Sequence, residues 1–279
     1  MVYKTILVHC DADKSVAVRL ATAVGLAERY QAHLVGLHAR PPFQPPAFTD
    51  GSYPMDLFFT EYEAAVKAGE ATASAAFVQA VKGKGITTEW RSADGLADDV
   101  LTLHSRYADL TVVGQNDPET SGAPLPSDLP ESVALATGRG TLVVPYVGGG
   151  KVPGSNVMLC WNASRESARA ASEALPLLKA ASNVIVLIVE PRTSSEGHGA
   201  MPGADVATWL GRHGVKVAVQ RDVAADGDVG GVILSRVMDH GSDLIVMGIY
   251  GHSRLREMIL GGASRTLLAR MTVPVLMAH

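Results

Sequence analysis

Cysteine is scarce in this chain of 279 residues, which contains only two, Cys10 and Cys160. Neither belongs to a CxxC pair or to a metal-ligand spacing, so a disulfide framework and a cysteine-based zinc site are excluded. We interpret both as small buried side chains in apolar strands. The nine histidines form no HxxxH or HxH pair, so no metal site is predicted from them either.

The chain also lacks a strong charge bias and long apolar runs. Its net charge is −4 with acidic and basic residues interleaved, so it offers no basic stripe to nucleic acid. No segment approaches about eighteen consecutive apolar residues, and the N-terminus opens directly on a strand pattern without a basic leader. We therefore expect no nucleic-acid partner, no membrane span and a cytoplasmic location.

What the chain does contain is an internal repeat. Residues 4–11 form an apolar strand pattern that ends in Asp11 and precedes a helical pattern. Residues 156–162 repeat this arrangement, with Asn162 at the position of Asp11. The chain therefore consists of two related halves.

The fourth strand gives the clearest match between the halves, ADLTVVG at 108–114 against SDLIVMG at 242–248. Strands alternate with helical patterns throughout, which predicts an α/β fold with two tandem five-stranded parallel-sheet repeats, 1–147 and 152–279. A glycine linker joins them. Further predictions are helices at 56–82, 97–107, 206–212 and 229–240, a single helical pattern at 168–178, fifth strands at 142–144 and 275–277, and a proline-rich surface loop at 40–48.

The glycine-rich stretch at 248–264, GIYGHSRLREMILGGAS, carries the strongest functional signal. Gly248 and Gly251 follow a buried strand, where positive φ and the missing Cβ would let an anion approach the backbone. Gly261 and Gly262 would place free N–H groups at a helix N-terminus, where the helix dipole favours an anion. The pattern predicts a phosphate site; the alternative is that these glycines only form turns.

The first half lacks this pattern. Asp117 stands at the position of Gly251, and Leu129 and Pro130 fall near the position of Gly262. A carboxylate repels phosphate, and a proline lacks the N–H donor. We infer a degenerate first site.

The spacing Gly-x2-Gly-x9-Gly resembles the ATP-binding signature of the universal stress protein family, and nearly the whole chain resembles a tandem member of it. The resemblance implies two Rossmann-like repeats of the adenine nucleotide alpha hydrolase-like type. It also implies that the fifth strands pair the repeats about a pseudo-twofold axis, and a homodimer of the whole chain is compatible with this. One position departs, since Gly262 stands where Ser or Thr is usual, and Ser264 is the nearest hydroxyl.

The resemblance further implies ATP as the ligand, with or without Mg²⁺. Adenine would lie near Val189, and the ribose would lie near Asn162, where the family usually has an acid. The glycine stretch would hold the phosphates, and His252 and Arg254 either contact the ligand or are solvated. The implied nucleotide-binding residues are Asn162, Val189, Met247, Gly248, Gly251, His252, Arg254, Gly261, Gly262, Ala263 and Ser264.

Three functions follow from these observations. The first is an ATP-binding stress-response regulator. The second is a slow ATP hydrolase, although no catalytic residue is predicted: fast phosphoryl transfer needs a lysine clamp and carboxylate-held magnesium, and only Asp243 lies near the motif. The third is an interaction or lipid-binding module without nucleotide, which would use Phe43, Phe48, Phe58 and Phe59, although such aromatics more often pack a core.

Overall fold

The computed structural model describes residues 2–43, 55–117, 128–148, 152–189, 201–249 and 262–279. Within these ranges the strands are β1 (Thr5–His9), β2 (His33–Arg40), β3 (Thr88–Asp94), β4 (Leu110–Gly114), β5 (Gly140–Val144), β6 (Asn156–Cys160), β7 (Asn183–Val189), β8 (Val217–Asp222), β9 (Leu244–Gly248) and β10 (Val275–Ala278). The helices are α1 (Val16–Tyr30), α2 (Met55–Val81), α3 (Ala97–Ser105), α4 (Leu129–Ala136), α5 (Arg165–Glu173), α6 (Leu175–Ala180), α7 (Ala204–Arg212), α8 (Val229–Asp239) and α9 (Gly262–Arg270).

The described strands form one sheet in the order β3-β2-β1-β4-β5-β10-β9-β6-β7-β8. Within each half all neighbours are parallel, and the order of the first half is repeated in the second. The two halves meet where β10 pairs antiparallel with β5, with Leu276 opposite Leu142. The strand order reverses its direction at β1 and at β6, so each half has its own switch point.

Helices cover both faces of this sheet. Helices α1, α2, α5, α6 and α7 contribute to one hydrophobic cluster, and α3, α4, α8 and α9 contribute to the other. Alternate residues of a strand point to opposite faces, so Ile6 packs in the first cluster and Leu7 in the second. The predicted α/β class with a doubly wound, mostly parallel sheet is confirmed.

One predicted element is wrong. The apolar pattern that continues through residues 168–178 predicts a single helix after β6, but α5 ends at Glu173 and α6 begins at Leu175. Pro176 lies in the first turn of α6, where a missing N–H costs little, whereas in the interior of one long helix it would break a hydrogen bond. The periodicity continues across the break because both helices pack on the same face.

A pair of aspartates fixes the start of the first strand in each half. Asp243 precedes β9, and its carboxylate accepts hydrogen bonds from the backbone N–H groups of Gly154, Ser155 and Asn156, each at 3.0 Å. Asp109 does the same for the N–H groups of Lys4 and Thr5 at 2.6 and 2.9 Å. The Asp243 carboxylate is thus occupied by backbone hydrogen bonds at the amino end of β9, whereas the glycine stretch of the sequence follows the carboxyl end of that strand.

Parts of two sequence predictions lie outside the described residues. The proline-rich segment is described only as far as Phe43, and the linker only up to Gly148 and again from Val152. Within the described residues, no helix is both long and apolar enough to cross a membrane.

Candidate functional site

A pocket lies at the carboxyl ends of β6, β7 and β9. Strand β6 lies between β7 and β9 in the sheet, and this is the switch point of the second half. Crevices at such points are where doubly wound sheets hold their ligands. The residues lining the pocket are Cys160, Trp161, Asn162, Leu187, Val189, Val229, Ile233, Met247, Gly248 and Ala263.

The structure brings together five of the residues predicted from the sequence. Asn162, Val189, Met247, Gly248 and Ala263 line the one pocket, although they are far apart in the chain. Gly262 and Ser264 flank Ala263 in the first turn of α9, with Gly262 exposed and Ser264 buried. Gly251, His252, Arg254 and Gly261 lie outside the described residues.

The sequence prediction missed several pocket residues. Trp161 follows β6 directly and lines the pocket together with Asn162, and Val229 and Ile233 lie one turn apart on α8. Their spacing of four residues is a signal that both belong to one helix face, but it does not show that this face borders a pocket. Cys160, interpreted as a buried filler, is only half-buried, lines the pocket and has a thiol whose pKa burial raises to about 12.

Asn162 is held in a tight turn. Its Oδ1 accepts a hydrogen bond from the N–H of Ser164 at 3.2 Å, and Ser164 caps α5 by accepting one from the N–H of Ser167 at 3.1 Å. Between them, Ala163 has a φ of 60°, a left-handed conformation that L-residues adopt at a cost of about 1 kcal/mol. Since Oδ1 is committed to this turn, the Nδ2 amide group of Asn162 is the donor left for a ligand.

Gly248 has a different role from the one predicted. Its φ is not positive, so the left-handed conformation is not what requires glycine there. A Cβ at this position would lie 2.6 Å from the backbone of Glu166 and Ser167 in α5. Gly248 is therefore needed for the close packing of α5 on β9, and the approach of an anion is not its main requirement.

Gly262 lies in open space. A Cβ added to it would meet no atom within 4 Å, so packing does not require glycine at this position. It is the first residue of α9, and Ala263, the second, lines the pocket. The N–H groups of a first helical turn have no partner within the helix, and they carry the positive end of its dipole. The pocket is thus bordered on one side by a helix end that favours negative charge.

The equivalent position in the first half is filled by the protein's own side chains. Arg19, which is 4% exposed, reaches from α1 to the end of β4, where its guanidinium packs against Gly114 and forms an ion pair with Asp11 at 2.6 Å. Burial opposes ionisation of Asp11, but the charges of Arg19 and His9 outweigh it and hold the pKa of the carboxyl below its usual value. A buried ion pair thus lies at the counterpart of the second-half pocket.

Helix α4 is the first-half counterpart of α9, and the start of α4 is also occupied by the protein's own side chains. It begins at Leu129, whose side chain is buried, and Pro130 follows in its first turn. One of the free N–H donors that α9 presents is therefore missing, and an apolar side chain occupies the neighbouring space. The start of α4 therefore offers fewer free N–H donors than the start of α9.

Metal ligands do not converge among the residues that the structure describes. No group of three or more His, Cys, Asp or Glu side chains lies within reach of one ion there.

Cys10 is fully buried and has a thiol whose pKa burial raises to about 12. Both thiols are therefore held in the neutral form and are poor nucleophiles.

The fold and the pocket together define a tandem, doubly wound α/β protein with a crevice at the switch point of its second half. Residues 155–279 match the model of the Universal stress protein family. The second half of this chain is therefore similar to the universal stress proteins, the family that its glycine spacing resembles.

Solved structures extend the likeness to the whole chain. A universal stress protein from Archaeoglobus fulgidus superimposes with a TM-score of 0.72 at 15% identity, covering 98% of this chain and 95% of that one. A protein from Pseudomonas aeruginosa described as a universal stress protein gives a TM-score of 0.58 at 16% identity over 99% and 93%. At these identities the likeness establishes the fold alone. Comparison with curated protein sequences gives no significant match.

Proposed function

We propose that the second half binds an adenine nucleotide, ATP, in the pocket between β6, β7, β9 and the start of α9. The observation that carries this proposal is the combination of an apolar crevice with a helix N-terminus at one side. Val189 at the end of β7 would offer backbone groups to the adenine, and Asn162 would donate to the ribose. The glycine segment and the first turn of α9 would hold the phosphates.

The residues present fit a nucleotide better than a metal cofactor. The pocket walls from Leu187, Val229 and Ile233 are apolar and suit a base, whereas the polar groups lie at Asn162 and α9. With no carboxylate cluster among the described residues, any Mg²⁺ would be held by the phosphates and water.

One chain would bind one nucleotide. In the first half the Arg19–Asp11 ion pair lies where the second half has its crevice, and Pro130 removes a phosphate donor. We therefore place the regulatory ligand in the second half and assign the first half a supporting role. On this proposal the protein is a cytoplasmic stress-response regulator whose nucleotide occupancy is the signal.

Hydrolysis is at most slow on this proposal. The acid nearest the motif in sequence, Asp243, has its carboxylate occupied by three backbone N–H groups. It cannot leave them to hold magnesium or orient a water without freeing those donors. No lysine or carboxylate lines the described part of the pocket. The described part of the pocket therefore lacks the groups that fast phosphoryl transfer needs.

A second candidate, an interaction or lipid-binding module, is favoured by the aromatic residues near α2. Phe43 contacts Phe59 and Tyr62 with ring centroids 5.5 and 5.2 Å apart, and the expectation that such aromatics pack in a core is wrong for Phe59, which is 47% exposed. Phe58 is half-buried, and Phe48 lies outside the described residues. Leu57 is 57% exposed beside them.

Titration of the full chain with ATP tests the proposal. We expect one equivalent to bind with release of heat and to raise the melting temperature, because a ligand that binds only the folded state stabilises it. The protein should first be denatured and any released nucleotide identified, so that an occupied site is not mistaken for an inert one. Protein that carries no nucleotide and gains no stability from ATP would instead favour the interaction module, and sustained ADP release would favour the hydrolase.

Asn162→Ala should weaken ATP binding about tenfold, because one hydrogen bond to the ribose is lost. Asn162→Asp is the matched comparison, since it restores the acid usual in the family and preserves the bond from Ser164. We expect Asn162→Asp to bind at least as well as the alanine variant. Equal affinity for ATP in all three proteins, measured by calorimetry, would remove Asn162 from the site.

We also propose that the two halves are a fused pseudo-twofold dimer that holds together without the linker. The β5–β10 pairing supports this, as do three further bonds between the halves. Gln115 Nε2 donates to the Leu268 carbonyl at 2.8 Å, the Tyr3 hydroxyl to the Glu173 carbonyl at 2.7 Å, and Arg29 Nη1 to the Pro153 carbonyl at 2.7 Å. Such pairing also satisfies two sheet edges at once.

Cutting the linker tests this pairing. A protease site inserted between Gly148 and Val152 should be cleaved in the folded protein, and the two fragments should still elute together in gel filtration. Their contacts would survive because each fragment retains its own strand at the junction. Fragments that separate under native conditions would show that the linker, and not the interface, holds the halves together.

A further inference from the structure

The two outer strands of the sheet, β3 and β8, differ in how well they resist pairing with another strand. In β3, Arg91 forms two hydrogen bonds to Glu89 at 2.7 and 2.9 Å, so charges occupy the middle of that edge. In β8, the first three residues, Val217, Ala218 and Val219, are uncharged, and the last two of them are exposed. Central charges are a common protection of sheet edges, and β8 lacks them over half its length.

The side chains of β8 alternate between two helices. Arg221 donates to the carbonyl of Pro202, next to the start of α7, and Val219 packs beside Gly203. On the opposite face, Gln220 bonds to His240 at 2.6 Å, and Asp222 bonds to Arg236 of α8. Both faces of the strand are thus contacted by its own chain, and among the described residues no strand pairs with its outer edge.

We propose that β8 is a self-association surface that pairs antiparallel with β8 of a second copy of this chain, centred on Val219. In that register Val219 faces the partner's Val219, and Ala218 faces the partner's Gln220. Lys216, which is exposed and forms no ion pair with the described residues, faces the partner's Asp222. The twofold axis creates this Lys–Asp pair twice, so the strand is complementary in charge to a copy of itself.

A shift by one residue removes this complementarity. Ala218 would then face the partner's Arg221, and Lys216 would face the partner's Val223, so each charge would lie opposite an apolar side chain. The shift would also move every side chain to the opposite face relative to its partners. The register centred on Val219 is therefore favoured by charge as well as by the match of two β-branched side chains.

Exposed apolar side chains at the carboxyl end of β8 favour a protein occupant. Met201, next to Pro202, is 66% exposed, and Val223, directly after the strand, is also 66% exposed. Pairing of two edges would cover these side chains together with Val219. The proposed partner is a second copy, and the interface is separate from both the β5–β10 junction and the pocket of the second half.

The oligomeric state of the full chain tests this surface. Sedimentation at increasing concentration should show a monomer–dimer equilibrium for the natural protein. Lys216→Asp would place a carboxylate opposite the partner's Asp222, and the twofold axis would create this repulsion at two places. The variant should therefore weaken the dimer about tenfold or more. Lys82→Asp, the same change at an exposed lysine near the opposite edge, should leave the dimer unchanged. A monomer at all concentrations, or equal behaviour of the two variants, would overturn the proposal.

Cross-linking tests the register. Val219→Cys would place two thiols opposite each other across the twofold axis, so mild oxidation should give a disulfide-linked dimer on a non-reducing gel. Thr88→Cys on the β3 edge is the control and should give no disulfide-linked dimer on the same gel, and neither should the natural protein with its two cysteines. Absence of a Val219→Cys dimer in a protein that still self-associates would show that another surface is used.

Discussion

Ala263→Glu is expected to remove ATP binding while leaving the fold intact. Ala263 is the second residue of α9 and lines the pocket, so a carboxylate there would lie beside the proposed phosphates. At about 4 Å and an effective dielectric constant near 20, one pair of like charges costs about 4 kcal/mol, roughly a thousandfold in affinity. In the free protein the same carboxylate interacts favourably with the helix dipole and should stabilise by about 0.5 kcal/mol.

Ala263→Gln is the matched control, because it has nearly the same size without the charge. Calorimetry should show that the glutamine variant retains most of the affinity that the glutamate variant loses, while both unfold at or above the natural temperature. Equal ATP affinity of the two variants would mean that the phosphates do not lie at the start of α9. Loss of binding in both would indicate that volume, and not charge, limits this part of the pocket.

The halves of the sheet could be predicted because their central strands are buried on both sides. Such strands appear as continuous apolar runs, and Leu110–Gly114 and Leu244–Gly248 are almost the same run twice. The aspartates before them strengthen the match, since Asp109 and Asp243 fix equivalent turns. The break between α5 and α6 could not be located by periodicity, because Pro176 preserves the direction of the apolar face.

The sequence also could not show why a glycine is needed at position 248. A glycine after a buried strand is compatible with a positive φ, with an approaching ligand or with an approaching helix, and only the packing of Glu166 and Ser167 distinguishes them. Five predicted pocket residues nevertheless converge, because the carboxyl ends of parallel strands meet at one edge of the sheet. The sheet topology explains why these five residues meet in one pocket, whereas their spacing in the chain does not predict it.

The partner of Arg19 is another feature that the sequence could not predict. It occupies the core-facing side of α1 together with Val16, Leu20 and Ala23, and an arginine in such a stripe is a signal of a buried partner. The sequence does not identify that partner, because the contact with Asp11 depends on how the helix lies on the sheet. The pair lies at the first half's switch point, which supports our proposal that the ligand binds in the second half.

His9→Gln is expected to flatten the pH dependence of stability on the acid side of neutrality. His9 is 2% exposed, and burial lowers its pKa from 6.5 to about 4, with the carboxylate of Asp11 opposing the shift. Between these values the unfolded chain binds a proton that the folded chain refuses, so stability falls as the pH falls. The difference amounts to about 2 kcal/mol between roughly pH 7 and pH 5.

The Asp11 carboxyl, with its pKa below the ordinary 3.8, loses its contribution only at lower pH, so the two groups act in separate windows. Urea unfolding at several pH values should show that the natural protein loses about 2 kcal/mol more than His9→Gln across the His9 window. His213→Gln, which removes an exposed histidine directly after α7, is the control, and its stability should change with pH as that of the natural protein does. A His9→Gln curve parallel to that of the natural protein would mean that His9 takes up its proton in the folded state as readily as in the unfolded one.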